Sequence, residues 1–145
     1  MIAGSDVFLD ANILIYAARG RLDAPEKYAV AKRIVMEEDY CTSSQVLAEF
    51  YVNSTRQSAE ALSDAEAKVW VETIAMKPCQ PVDDKLIMRA IDISQKFQTS
   101  YWGGAIIAAA EKLGAKTLYT EDLNHGQSYG SVRAINPFKP HPDFQ

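Results

Sequence analysis

Residues 7–20 read VFLDANILIYAARG, and their order decides what kind of fold this chain can adopt. VFLD is a short apolar run closed by an acid, the pattern of a strand buried on both faces. The next residues switch at once to helical spacing and stop at Gly20, a natural helix end. Working outward, the alternation continues. APEKYAVAKRIVMEED (24–39) opens with Pro25 near a first helical position and sets Tyr28, Val30, Ala31, Ile34 and Val35 on one face. YCTSS (40–44) is a second short strand and SQVLAEFYVNSTRQ (44–57) a helix. SDAEAKVWVETIAM (63–76) starts with Ser63 and Glu66 at capping-box spacing. CQPVD (79–83) is a weak strand, weakened further by Pro81, and DKLIMRAIDISQKFQ (84–98) is an amphipathic helix. After a helix ending at Gly114, TLYTED (117–122) and VRAINPF (132–138) are strands. Strands separated by helices predict a parallel α/β sheet with right-handed crossovers.

The chain of 145 residues suits one compact domain spanning 1–145, with an irregular Pro-rich tail from about 139. There is no internal repeat, low-complexity segment or linker. Its 48% hydrophobic and 23% charged residues are the balance of an ordinary globule. The net charge of −4 gives no global attraction for nucleic acid, so a nucleic-acid binder would need a local basic patch. Arg19, Arg21, Lys27, Lys32 and Arg33 could form one, as a phosphate-contacting rim, or be a solvated face. Cys41 and Cys79 form no CxxC or Cys/His cluster, which argues against zinc and fits a reducing compartment. The N-terminus lacks the charged and apolar regions of a signal peptide, and AIIAAA falls far short of the about 20 residues of a membrane span. A cytoplasmic protein without a membrane partner is expected.

Open parallel sheets bind ligands beyond the carboxyl ends of their strands. Asp10 ends the first strand, Asp122 lies just past TLYT, and Glu49 sits early in the helix after the second strand. Singly, each has an ordinary reading: a helix cap, a turn residue, a surface acid. Together they fall at one sheet edge, where mutual repulsion calls for compensation. A divalent cation held by oxygen alone, Mg²⁺ or Mn²⁺, is the usual one. Such ions activate water and polarise phosphoryl oxygens. No Walker motif, dinucleotide fingerprint or nucleophile elbow offers rival chemistry. His125 near Asp122 could touch substrate but reads more simply as a polar loop residue, and His141 carries no signal.

The remaining stretch, SYWGGAIIAAA (100–110), raises a question. With Ser100 as N-cap, Gly103 falls at the third helical position, where an acid would help the free N–H groups. Each glycine in a helix costs roughly 1 kcal/mol relative to Ala.

VFLDANILIYA, SSQVLAEFYVNSTR, SYWxxAIIAAA and TLYTEDLNHGQ…VRAINPF, in this order, resemble PIN-domain proteins, and more narrowly the VapC toxins of bacterial type II toxin–antitoxin systems. The resemblance runs from about Val7 to Phe138. It implies a three-layer α/β/α sandwich with a central, mainly parallel sheet. It also implies a Mg²⁺- or Mn²⁺-dependent endoribonuclease, a homodimer inhibited by a cognate antitoxin. The family acids match Asp10, with Asn12 beside it, Glu49 and Asp122, and Thr120 matches a hydroxyl position near the metal. The third family acid follows the Tyr-Trp pair, and that position here is Gly103. Three explanations fit: a loss-of-function change in a toxic protein, one base away from an Asp codon; a degenerate domain that binds without cutting; or a site that tolerates the loss. The rival to a nuclease is therefore a non-catalytic binding protein; a DNA-directed nuclease or a phosphatase would use the same acids.

Overall fold

A computed structural model describes residues 5–140. Strands β1 (Val7–Leu9), β2 (Tyr40–Ser43), β3 (Cys79–Gln80), β4 (Thr117–Tyr119), β5 (Ser128–Tyr129) and β6 (Val132–Ile135) form one sheet in the order β3-β2-β1-β4-β6-β5. Every neighbouring pair is parallel except β5 with β6. Helices α1 (Ala11–Arg19), α2 (Pro25–Glu37), α3 (Ser44–Ser54), α4 (Asp64–Ile74), α5 (Asp84–Phe97) and α6 (Tyr101–Leu113) complete a three-layer α/β/α sandwich. Helices α5 and α6 pack together, with α6 laid on the sheet, while α1 packs with α2 and α3, and α3 with α4.

The central strands are buried because no position alternates outward: all of Tyr40–Ser43 is buried, as are Phe8 and Leu9. The helices start where the sequence places their caps. Asp10, Ser43, Asp83 and Ser100 each accept a backbone N–H with the side chain, and Ser63 and Glu66 form the full capping box. Pro25 takes a first-turn position in α2.

Several strands and helix α3 are shorter than in the sequence reading: β3 stops at Gln80 rather than 83, before Pro81, which has no N–H to give, and β6 stops at Ile135 rather than 138, where the Asn136 side chain accepts the backbone N–H of Phe138. Helix α3 ends at Ser54 rather than 57. The Arg19 guanidinium takes the carbonyls of Asn53, Ser54 and Arg56, which a longer helix would need for itself. Strand β4 ends at Tyr119 rather than 122, because Thr120 turns its hydroxyl onto the backbone N–H of Asp122. Strand β5 was not foreseen. It pairs antiparallel with β6 through a two-residue turn in which Gly130 takes φ 64°, a conformation glycine adopts without strain. Within the tail, His141 and the residues after it lie outside the described residues.

Candidate active site

The site starts from the parallel register of β1 on β4, which sets Leu9 beside Tyr119. The next residues along, Asp10 and Thr120, are therefore neighbours at the carboxyl edge. The Asp10 backbone N–H donates to the Tyr119 carbonyl at 3.1 Å. The Thr120 hydroxyl donates to Asp10 Oδ2 at 2.7 Å and accepts from the Asp122 backbone N–H at 3.0 Å. Asp10 Oδ1 accepts the backbone N–H of Ala11 at 2.7 Å. One hydroxyl thus fixes the plane of the Asp10 carboxylate and the start of the turn that presents Asp122.

Glu49 arrives by a different route. Strand β2 runs into α3 with Ser43 as cap, so Gln45 and Glu49 occupy successive turns of one helix face. Gln45 Nε2 donates to Glu49 Oε1 at 2.8 Å. Asp10, Glu49 and Asp122 line a single cavity of about 250 Å³, and Gln45, Ser100, Trp102, Gly103 and Ile106 complete its wall. The four positions singled out in the sequence are thereby brought together. Thr120 is buried behind the wall and acts through Asp10. Asn12, half-buried in the first turn of α1, stands outside the lining.

The two glycines of α6 have separate causes. A Cβ on Gly104 would meet the Ala90 carbonyl oxygen at 2.4 Å and the Ser94 Cβ at 3.0 Å, so the close crossing of α5 and α6 demands glycine there. A Cβ on Gly103 would meet only side chains: Leu123 Cδ2 at 3.1 Å, Ser100 Oγ and Thr99 Cβ at 3.4 Å. The end of the Leu123 side chain can give by that margin. Nothing in the packing requires glycine at 103, and an acid there would face the cavity.

Among the described residues, no basic side chain lines the cavity. Burial, above all, pushes the Asp10 carboxyl from 3.8 to about 6; Asp122 and then Glu49 add to the rise, while the bonds from Thr120 and Ala11 oppose it. The donors are carboxylate and amide oxygens, which suit a hard cation. Among the described residues, no three His, Cys, Asp or Glu side chains converge as a ready-made metal-binding group. The set therefore fits a hydrated ion held by one or two carboxylates, as Mg²⁺ often is, rather than a closed cage.

The basic residues after the first strand do not form a rim on this cavity. Arg19 is bound to α3 carbonyls and to the Ser58 hydroxyl. Lys27 pairs with Glu121 at 2.5 Å and lies over the rings of Tyr16 and Phe138. Arg21 and Lys32 line a separate cavity of about 500 Å³ with Tyr28, Val35, Met36 and Trp70. His125 accepts the Asn136 backbone N–H on Nδ1 at 2.9 Å, which ties its loop to the end of β6. The sequence reading missed Gln45 and Trp102 as parts of the site. The signals were there: Gln45 lies one turn before Glu49, and Trp102 directly precedes the vacated position.

A mainly parallel sheet with acids gathered at the carboxyl end of its central strands defines an α/β protein with an acidic edge site. The family model for the PIN domain matches residues 7–128, and the chain belongs to that family. No curated protein matches the sequence significantly. Among solved structures, the fold is similar to the Mycobacterium tuberculosis toxin VapC20, described as cleaving the sarcin–ricin loop, with a TM-score of 0.64 and 20% identity over 80% of this chain and 89% of that one. It is similar to a toxin–antitoxin complex from Klebsiella pneumoniae, with a TM-score of 0.64 and 15% identity over 90% and 97% of the two chains. It is also similar to VapBC2 of Rickettsia felis bound to a promoter DNA fragment, with a TM-score of 0.57 and 15% identity over 88% and 96%.

Proposed function

We propose that this chain is a Mg²⁺- or Mn²⁺-dependent endoribonuclease, the toxin of a toxin–antitoxin pair, impaired because Gly103 stands where the site calls for an acid. The observation that carries this reading is the convergence of Asp10, Glu49 and Asp122 on one cavity whose facing wall is a glycine that packing does not require. Asp10, Glu49 and Asp122 would hold the ion, one or two of them directly and the rest through its waters. When bound, it would supply Lewis-acid stabilisation of the phosphoryl oxygens and a more acidic water. The chain's own residues do the rest. Thr120 orients the buried Asp10 carboxylate, Gln45 holds Glu49, and exposed Asp122 stands at the solvent side of the cavity. With no acid at 103, the attacking water loses a group that would position it and the ion loses negative charge that would hold it.

The antitoxin reading is supported by the kinship with toxin–antitoxin assemblies, and the separate groove of Arg21, Lys32, Val35, Met36 and Trp70, with Glu60 at its margin, would take that partner; a homodimer is part of the same reading. That groove suits an acidic amphipathic segment. The alternative, a degenerate PIN domain that binds without cutting, is favoured by the glycine at 103 on the cavity wall, where a cutting site calls for an acid. A Mn²⁺ titration followed by thermal unfolding tests the reading. Mn²⁺ should raise the melting temperature of the chain and leave Asp10→Asn unmoved. No shift in either protein would favour the binding-protein alternative.

A further inference from the structure

The acidic cavity does not end at Glu49. A second hollow of about 530 Å³ opens beside it and shares Gln45, Glu49 and Trp102 with it. Its floor is the outer face of α3, where Val52 is 56% exposed. Asn53 lies at its side and Arg56 at its far end. Trp102, the second residue of α6, closes the near end and is 63% exposed. The Tyr101 ring meets the Trp102 ring edge-on at 5.0 Å. Arg56 is exposed and, among the described residues, takes part in none of the ion pairs.

This is an unusual set of neighbours for an acidic cleft. A large indole kept in water is unfavourable unless something covers it. A flat aromatic face, amide groups at the margins and a free guanidinium beyond them match one chemistry, an unpaired nucleobase followed by a phosphate. Bases stack on exposed aromatics irrespective of sequence, while an arginine takes the backbone charge. Gln45 and Asn53 carry both donors and acceptors that can meet a base edge. Arg56 is the basic side chain of this groove, set at the opposite end from the acidic cavity that Glu49 shares.

We propose that the groove between the outer face of α3 and Trp102 seats an unpaired base of an RNA strand whose backbone crosses the acidic cavity. Trp102 is the stacking surface and Arg56 contacts the next phosphate. This rests on the nuclease reading and deepens it by naming the two side chains that position the nucleotide beside the phosphate at the acids. A continuous duplex cannot place a base on Trp102 without unpairing it.

The test is fluorescence anisotropy with a labelled single-stranded RNA of about eight nucleotides, with Mn²⁺ present. The same RNA as a blunt duplex and with one abasic nucleotide serves for comparison. Trp102→Ala should weaken single-strand binding by about tenfold or more, and Trp102→Phe, which keeps a stacking ring, by far less. The abasic change should weaken binding to the unsubstituted chain and not to Trp102→Ala. Arg56→Gln should lower affinity and flatten its salt dependence. If the unsubstituted chain binds RNA and Trp102→Ala binds it equally well, the base seat is wrong while the nuclease reading stands. If the unsubstituted chain binds no RNA, both fall. If Trp102→Ala instead converts a dimer to a monomer in sedimentation, the groove is a contact between copies and the proposal is overturned.

Discussion

Gly103 and Gly104 look alike in sequence and differ in what surrounds them. Gly104 lies against backbone, with the Ala90 carbonyl 2.4 Å from where a Cβ would stand. Gly104→Ala should therefore cost on the order of 2 kcal/mol, as overpacking against an immovable neighbour does. Gly103→Ala is tight only against the end of Leu123, with Ser100 and Thr99 at ordinary contact, and gains helix propensity, so it should change stability by less than about 1 kcal/mol. Urea unfolding of the two variants checks both, and equal losses would contradict the distinction. Asp10 gives a second prediction at this scale. Its carboxyl in the folded chain, about 6, lies above its ordinary 3.8. Protonation thus favours the folded state. The contribution is full below the ordinary value and is lost as pH rises through about 6. The metal-free protein should gain stability relative to Asp10→Asn, on the order of 2 kcal/mol, as pH falls from about 7 to about 4. Unfolding midpoints over that range measure it, and a pH-independent difference would contradict the burial argument.

Among the elements, helix α3 carries the most consequence. Its inner residues Val46 and Phe50 are buried, and its other face carries Gln45, Glu49 and Asn53 toward the two cavities. Its end is set from outside by Arg19, whose contacts with the carbonyls of Asn53, Ser54 and Arg56 replace a further helical turn. Arg19→Met should cost about 1–2 kcal/mol and expose residues 55–62 to proteolysis, read by limited digestion and mass spectrometry. An unchanged digestion pattern would mean that the clasp is incidental. This is also where sequence reading reached its limit. Caps and periodicity are local, so Asp10, Ser63 and Ser100 marked helix starts. Arg19 reaches residues more than thirty positions away, and nothing local distinguishes it from a solvated arginine. Lys27 was opaque for the same reason, since its partner Glu121 lies on the far side of the sequence. The short β5 escaped because a two-residue strand has no period to detect.

At the scale of the whole molecule, the parallel sheet turns distant residues into one site. The rule that ligands gather at the carboxyl edge made the meeting of Asp10, Glu49 and Asp122 legible in advance. The continuation of that site onto Trp102 and Arg56 was not legible, because it depends on how α6 approaches α3 rather than on either helix alone. Within the cavity the acids are short of compensating charge, and one wall is bare at Gly103. The central claim is that this bare wall is a lesion in a metal-dependent nuclease centre. It is tested most directly by assaying cleavage of structured RNA by the chain with Gly103 and by Gly103→Asp, each with Mn²⁺ and with chelator, and with Asp10→Asn added to the restored protein as control. Cleavage by Gly103→Asp with Mn²⁺ at least about a hundredfold faster than by the Gly103 chain, abolished by chelator and by Asp10→Asn, is the predicted result. Folded, metal-binding Gly103→Asp protein that cuts no better than the Gly103 chain would contradict it.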